Sequence, residues 1–186
     1  RLVEPALRAL IGSEGFSVHG FLCPGHVAVV TGSEHFRFLP EEYGLPAVVA
    51  GFEPEDILLS VYELLRILVN EYKRAVSPGG NELARAMLER CFTPARASWR
   101  GLGEIEASGL AFREELSDWD AAKKFDIRPG EAEAPTACRC GEVITGRLAP
   151  EGCPLFGKLC TPEDPVGPCM VSSEGACAAA YKYREC

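Results

Sequence analysis

Short apolar runs alternate with helix-like segments along the first two thirds of the chain. The runs at residues 16–22 and 47–51 are largely apolar and are bounded by turn-forming residues. Runs of this length are typical of strands that are covered on both faces of a parallel sheet. The alternation of such strands with helices predicts an α/β fold with an open, mostly parallel sheet and flanking helices.

A segment of helical periodicity follows the second run. Pro54 suits the first turn of a helix, where its missing N–H would be unpaired anyway. The carboxylates of Glu55 and Asp56 favour the positive end of the same helix. Apolar residues then recur three and four positions apart and form one stripe: Ile57, Leu58, Val61, Leu64, Leu65 and Leu68. The pattern predicts a helix over residues 54–73.

The rest of this part of the chain predicts three shorter elements. Asn81 is a suitable N-cap for a second helix, on whose apolar face Cys91 is predicted to be a core residue rather than a ligand. We predict a strand at 108–114 and a short helix at 118–125. The polar, proline-containing segment 128–136 predicts a domain boundary, which divides the chain into an α/β domain (1–130) and a cysteine-rich domain (131–186).

Composition and charge exclude several classes of function. The chain has 186 residues, 47% of them hydrophobic, and a net charge of −8. This charge argues against nucleic-acid binding, which requires a basic surface. No apolar run approaches the length of a membrane span. We therefore expect a soluble protein without nucleic-acid or membrane partners, in the cytoplasm, where thiols stay reduced.

The cysteines carry the strongest chemical signal. Seven of the nine lie in the last 49 residues: Cys138, Cys140, Cys153, Cys160, Cys169, Cys177 and Cys186. This density indicates a disulfide framework, a zinc site or an iron–sulfur site. A disulfide framework is more typical of small secreted domains without a sizeable core. Structural zinc usually takes closely spaced cysteine pairs, and the spacing here is irregular.

A [4Fe–4S] cluster suits irregular spacing better, because four thiolates bind a wide inorganic core that a loop-rich segment can surround. Glycines and prolines separate the cysteines throughout this segment. Six cysteines precede the terminal one and a cubane needs four, so two remain. This count motivates the hypothesis that a spare pair forms a redox-active disulfide beside the cluster.

Specific segments of the chain resemble a known family. The stretches CRCGEVITG and CPLFGKLCTPEDPVGPCMVSSEGACAAAYKY, together with GFSVHGFLCPGHV and GFEPED upstream, are similar to the HypD family of [NiFe] hydrogenase maturation factors. The resemblance covers essentially the whole chain. It implies a [4Fe–4S] cluster similar to that of ferredoxin–thioredoxin reductase, with a cysteine pair beside it.

The resemblance also implies a role for each cysteine of the tail. Cys138, Cys153, Cys160 and Cys177 become the cluster ligands, and Cys140 and Cys169 become the redox pair. Cys186 lies outside the pattern, as a free terminal thiol. The implied role is a scaffold and electron relay in assembly of the Fe(CN)2CO unit, with a small HypC-type chaperone and a HypE-type cyanide donor as partners.

The chain departs from the family at its N-terminus. It begins at Arg1 and lacks the family's N-terminal Cys-Gly-x-His and Gly-Pro-Gly-Cys-Pro-x-Cys motifs, so we interpret it as a C-terminal fragment without the iron-holding site. Two other functions remain open from the residues: a disulfide reductase like ferredoxin–thioredoxin reductase, and a binding module stabilised by zinc or disulfides. We favour a scaffold over an enzyme.

A second candidate site lies in the predicted α/β domain. Pro24 and His26 follow the first predicted strand, and Glu53 and Asp56 follow the second. Ligand clefts of open α/β sheets form at the carboxyl ends of strands, so we expect these four residues to line one cleft. A nucleophile–base pair of Cys23 with His26 is disfavoured, since no orienting acid is evident. His19 is predicted to be a core histidine.

Other sequence features are interpreted as structural. The glycine-rich segment 98–103 lacks the lysine and serine of a phosphate-binding loop. Trp99 and Arg100 within it are predicted to pack at an interface or between domains.

Overall fold

A computed structural model of the chain describes residues 1–66, 69–99, 101–127 and 137–183. The α-helices of this part are α1 (Val3–Ile11), α2 (Gly25–Thr31), α3 (Phe38–Tyr43), α4 (Pro54–Glu63), α5 (Glu82–Cys91), α6 (Ala121–Lys124), α7 (Cys140–Ile144), α8 (Pro168–Val171) and α9 (Ala176–Tyr183). The strands are β1 (Phe21–Pro24), β2 (Ala47–Ala50), β3 (Val69–Asn70), β4 (Phe92–Trp99) and β5 (Gly103–Phe112). Short 3-10 helices occupy Ser33–Phe36, Glu114–Trp119 and Pro150–Gly152.

The predicted parallel sheet is present. It has three strands in the order β1-β2-β3, and both pairings are parallel. The central strand β2 is buried along its whole length, as expected for a strand covered on both faces. Helices connect the strands, so the fold is α/β as predicted.

The first predicted strand is shifted along the chain. The structure places β1 at Phe21–Pro24 rather than at 16–22, and residues 16–20 are irregular. Its start is set by its partner, because Phe21 lies opposite Ala47, the first residue of β2. The apolar run at 16–22 therefore begins five residues before the first residue that pairs with β2. His19 was predicted to lie in the core, and this prediction is wrong, since its side chain is exposed in the irregular stretch.

The helix predicted over 54–73 is shorter in the structure. α4 ends at Glu63, and β3 follows at Val69–Asn70, where it pairs with Val48 and Val49 of β2. Pairing with the buried strand β2 outweighs continuation of the helix. Much of the predicted apolar stripe is exposed, with Leu58 71% and Leu65 90% accessible, while Leu68 lies outside the described residues.

The second helix is confirmed. α5 begins after Asn81, whose side-chain oxygen accepts a hydrogen bond from the Ala84 N–H at 2.9 Å. Asn81 is therefore the N-cap that the sequence predicts. Cys91 ends this helix and is partly buried. Its backbone oxygen accepts a hydrogen bond from the Arg113 N–H at 3.0 Å.

The region after α5 is richer in strand than predicted. β4 was not predicted, and β5 begins five residues earlier than the predicted strand at 108–114. The two strands form a sheet of their own, and residues 101–102 between them form a turn. The short helix predicted at 118–125 is divided between the end of a 3-10 helix (Glu114–Trp119) and α6 (Ala121–Lys124).

Contacts between residues divide the chain into two compact units. Unit 1 comprises Arg1–Ser17, Pro94–Leu110 and Ser117–Cys186, and unit 2 comprises Val18–Thr93 and Ala111–Leu116. The predicted boundary segment 128–136 lies outside the described residues, so the division into 1–130 and 131–186 stays a prediction. No helix of the described ranges has the length and apolarity to cross a membrane.

Candidate functional site

Six of the seven cysteines of the tail lie around one pocket in unit 1. Cys186 lies outside the described residues. The pocket walls also contain apolar side chains and one glycine, and the full lining is Cys138, Cys140, Val143, Cys153, Phe156, Cys160, Gly167, Cys169, Met170 and Cys177. The eight cysteines of the described part of the chain are all free thiols. The enclosed space between these side chains is about 10 Å³, the space of roughly one water molecule.

Tight turns bring Cys153 and Cys160 to the pocket. Cys153 follows a 3-10 turn that begins at Pro150, a residue suited to the first position of such a turn. The Gly157 N–H donates to the Cys160 carbonyl at 3.1 Å. Gly157 has φ +65°, a conformation that favours glycine. The chain therefore reverses within a few residues and presents both sulfurs to the same space.

Short helices position three further cysteines. Cys140 is the first residue of α7, and Cys169 is the second residue of α8, after Pro168. Cys177 is the second residue of α9. A Cβ on Gly175, just before α9, would overlap the backbone oxygen of Cys169. This close backbone approach of α8 to the start of α9 places Cys169 near Cys177.

Gly167 leaves room for the sulfur of Cys138. A Cβ at position 167 would lie only 2.5 Å from the Cys138 Sγ and 3.8 Å from the Cys140 Cβ. Real Cβ atoms essentially never approach a sulfur this closely, so a side chain here would displace Cys138. Glycine at this position therefore shapes the pocket wall at its first cysteine.

Cys169 lies between two other thiols. The Cys169 Sγ donates a hydrogen bond to the Cys140 backbone carbonyl at 4.0 Å. Interaction with the Cys140 thiol is the main cause that raises the pKa of Cys169, followed by burial. Interaction with the Cys169 thiol in turn lowers the pKa of Cys140 to about 7. Burial raises the pKa of Cys177 to about 11. Cys140 is therefore the thiol of this trio that ionises most readily.

A backbone N–H group points at one of the other sulfurs, since the Val166 N–H donates to the Cys160 Sγ at 3.4 Å. Such bonds stabilise thiolates that bind iron. The pKa of Cys138 is raised, mainly by burial. Within the described ranges, no group of three or more His, Cys, Asp or Glu side chains is close enough to hold a single metal ion.

Aromatic and charged side chains lie after β1 and β2 in unit 2, where four residues were predicted to line a cleft, and the cleft itself stays a prediction. His26, just after β1, stacks on Phe52, just after β2, with 4.7 Å between ring centroids. The Tyr72 ring, beyond β3, lies 6.2 Å from the His26 ring. Side chains at Gly25 and Gly51 would collide with their neighbours, so glycine permits the close packing here. Pro24 ends β1 at the same edge of the sheet.

Arg74 joins the two acidic residues of this group. Its guanidinium donates to both carboxylate oxygens of Asp56, at 2.8 and 2.6 Å, and to Glu53 at 2.6 Å. The guanidinium also lies over the Tyr72 ring, 4.6 Å from its centroid. Cys23 is buried and its pKa is raised to about 12 by that burial, which argues further against its acting as a nucleophile with His26.

A protein-family model matches nearly the whole chain. The HypD family model, described as "Hydrogenase formation hypA family", matches residues 1–184. The chain belongs to the HypD family. The matched range contains the six pocket cysteines and the Pro24–His26 and Glu53–Asp56 segments.

Curated relatives carry the same family name. The hydrogenase maturation factor HypD of Rhodobacter capsulatus is 43% identical over 97% of this chain and 51% of its own length. HypD of Escherichia coli K12 is 40% identical over 97% of this chain and 51% of its own length. HypD of Cupriavidus necator is 42% identical over 89% of this chain and 46% of its own length. The chain thus spans about half the length of these HypD relatives.

The sequence did not predict that Arg74 contacts Glu53 and Asp56, or that Tyr72 lies near His26, in this HypD family member. Arg74 lies 18 and 21 residues from its carboxylate partners, and Tyr72 lies still further along the chain from His26, so no local pattern links them. The sequence did show several acidic residues after β2, and such a group is often paired with a nearby cationic side chain. Only the fold identifies that cation as Arg74.

The ion pair predicts a measurable pKa. Hydrogen bonding to Arg74 lowers the pKa of Asp56 to about 2. Because this pKa is depressed in the folded chain, the stability that the pair contributes is complete above about pH 4 and is lost as the pH falls towards 2. In the Arg74→Met variant we expect the Asp56 pKa to rise to about 4, as measured by the pH dependence of its carboxyl ¹³C chemical shift.

A matched variant tests the specificity of this effect. Arg66 pairs only loosely with Glu63, at 3.6 Å, and Arg66→Met should leave the Asp56 pKa unchanged. Equal Asp56 pKa values in the wild-type and Arg74→Met chains would contradict the role assigned to Arg74.

Proposed function

We propose that the chain acts in hydrogenase maturation as a redox-active scaffold for assembly of the Fe(CN)2CO unit. In this proposal Cys138, Cys153, Cys160 and Cys177 hold a [4Fe–4S] cluster, while Cys140 and Cys169 form a disulfide that opens and closes. Membership of the HypD family supports the maturation role. The shared pocket of the six cysteines, in which Cys169 donates to the Cys140 carbonyl at 4.0 Å, supports the rest.

The residues around the pocket fit such a cluster. Thiolates are the ligands that iron–sulfur clusters take, and here they come from separate loops and helix starts that face one space. Val143, Phe156 and Met170 supply apolar walls, and Gly167 leaves room beside Cys138. When bound, the cluster supplies electrons one at a time.

The chain's own thiols define the exchange step. Opening a Cys140–Cys169 disulfide consumes two electrons and two protons and leaves two thiols. Because its pKa is lowered to about 7, Cys140 is the sulfur that becomes a thiolate at neutral pH. Cys169, whose pKa is raised, retains its proton. We therefore assign the thiolate of the opened pair to Cys140, and the protonated thiol, which lies beside the proposed ligand Cys177, to Cys169.

The wider assembly extends beyond this chain. The relatives are about twice as long as the segment that they share with it, and we assign the holding of the precursor iron, which is cargo, to segments outside the matched half. We propose a HypC-type chaperone and a HypE-type cyanide donor as partners and the cytoplasm as the location. A reductase of protein disulfides is less well supported, since Cys140 and Cys169 are only 5% and 6% exposed.

The decisive experiment combines metal analysis with one variant. Anaerobically prepared chain should contain roughly four irons and four sulfides, with a cluster signal in electron paramagnetic resonance after one-electron reduction. The Cys140→Ser variant should keep that iron content and lose the two-electron thiol–disulfide titration.

Two outcomes would contradict the proposal. One zinc per chain without sulfide would favour the zinc-stabilised binding module. Loss of iron in the Cys140→Ser variant would mean that ligand and exchange roles are assigned to the wrong cysteines.

A further inference from the structure

A short loop after Cys160 brings a backbone donor back to the sulfur of that residue. Residues 161–166 connect Cys160 to Gly167, and both of these line the pocket. The Val166 N–H donates to the Cys160 Sγ at 3.4 Å. The Val166 side chain is half-buried and packs against the buried core around the pocket. The direction of this donor therefore depends on the conformation of the loop that carries it.

Thr161 closes this loop at its base. Its hydroxyl accepts a hydrogen bond from the Asp164 N–H at 3.2 Å, and its own N–H donates to the Asp164 carbonyl at 3.3 Å. Thr161 is half-buried, whereas residues 162–165 are exposed. The two hydrogen bonds therefore fasten the exposed part of the loop to its half-buried start.

Two prolines restrict the rest of the loop. Pro162 and Pro165 have fixed φ angles and carry no N–H. Each also favours an extended backbone at the residue before it, here Thr161 and Asp164. Few conformations remain open to such a loop once Thr161 and Asp164 are joined. The junction of these two residues therefore fixes where the Val166 N–H points.

We propose that Thr161 is a positioning residue for the cluster, because it orients the Val166 N–H towards the Cys160 sulfur. This inference rests on the proposed [4Fe–4S] site, of which Cys160 is a ligand. A hydrogen bond to a ligand sulfur withdraws negative charge from it, which favours the more negative, reduced state of a bound cluster. Thr161 therefore influences how readily the cluster is reduced, although it is not itself a ligand.

Thr161→Val tests this role. The variant keeps a side chain of similar shape but removes the hydroxyl, so the Asp164 N–H loses its acceptor. In an anaerobic redox titration of the full chain, the ratio of reduced to oxidised cluster at a fixed potential should fall about threefold, which is about 30 mV for one electron. Thr161→Ser keeps the hydroxyl and should restore the wild-type ratio.

Hydrogen exchange gives a second readout that does not depend on reduction of the cluster. In the same anaerobic chain, the Asp164 and Val166 amides should exchange about threefold faster in Thr161→Val than in wild type, because the loop opens more often. Mass spectrometry of peptides from residues 160–167 measures this exchange. Pro162 and Pro165 contribute no amide, so the signal of such a peptide comes from few donors.

Thr31→Val provides the matched control. The Thr31 hydroxyl donates to the Val27 carbonyl at 3.2 Å in unit 2, so the same chemical change removes a hydrogen bond away from the pocket. This variant should leave both the reduced-to-oxidised ratio and the exchange of residues 160–167 at the wild-type values.

Equal ratios in the wild-type, Thr161→Val and Thr31→Val chains would overturn the inference. If Thr161→Val loses its iron, Val166→Pro decides instead, since it removes the donor and leaves Thr161 in place; an unchanged ratio in that variant would overturn the inference as well. Absence of iron from the wild-type chain would refute the proposed function separately. Hydrogen exchange at Asp164 and Val166 would then decide whether Thr161 orients the donor.

Discussion

Replacement of Cys160 by serine is expected to reduce the iron content from roughly four atoms per chain to nearly none. Cys160 is a proposed ligand that is 6% exposed, and its sulfur already accepts a backbone hydrogen bond from Val166. A serine hydroxyl is a poor substitute for a thiolate at an iron–sulfur site, because soft thiolate ligands select such clusters. Iron and sulfide quantitation after anaerobic reconstitution, with the visible absorbance spectrum, measures the loss.

Cys91→Ser provides the matched control for this prediction. Cys91 ends α5 in unit 2 and is not among the residues that line the pocket. The same chemical change there should leave iron and sulfide at the wild-type level. A Cys160→Ser chain that binds as much iron as the Cys91→Ser chain would refute the ligand role of Cys160.

Gly32→Ala is expected to destabilise unit 2 by about 3 kcal/mol. Gly32 has φ +89°, and an added Cβ would overlap the Pro78 carbonyl and lie 2.7 Å from the backbone of Gly79 and Gly80. The same contact is held by the hydrogen bond from the Asn81 N–H to the Val30 carbonyl at 3.0 Å. Since folded domains are stable by only about 5–15 kcal/mol, the loss is a large fraction of the total.

A glycine in open space distinguishes collision from backbone strain. Gly44 also has positive φ, +66°, but a Cβ there would meet nothing within 4 Å. Gly44→Ala should cost only about 1 kcal/mol, from the left-handed conformation alone. Urea unfolding gives the two free energies, and faster hydrogen exchange in residues 25–31 should accompany Gly32→Ala. Equal losses in both variants would show that the packing of Gly32 on Pro78 contributes nothing.

Local signals in the sequence predicted those elements whose cause is local. Asn81 caps α5 through its own side chain, so the sequence pattern and the structure agree on where that helix begins. The apolar strand β2 was also predicted within one residue, because a buried run between turn residues has few alternatives. The α/β class follows from these elements.

Elements that depend on distant partners were predicted less well. β1 begins at the residue that pairs with Ala47, the first residue of β2. β3 forms because it pairs with the other edge of β2. The sequence pattern did not indicate β3, because its residues continue the helical periodicity of α4. β4 went unpredicted, since Pro94 and Arg96 interrupt its apolar pattern.

In the candidate site, too, local sequence features were predicted and contacts between distant segments were not. The density of cysteines in the tail indicated metal or thiol chemistry from composition alone, and resemblance to the HypD family assigned individual roles. Neither indicated that Gly167 and Gly101 lie against Cys138 and Cys140, because the contact joins segments far apart in the chain. Arg74 was missed for the same reason.

The buried core around the pocket consists largely of cysteine side chains. Five of its nine buried core residues are cysteines: Cys140, Cys153, Cys160, Cys169 and Cys177. Most protein interiors are chemically inert, whereas this one is built from atoms that air converts to polar sulfur acids or to mispaired bridges. Oxidation of these sulfurs would therefore change the packing itself, so it would be a structural event as well as a functional one.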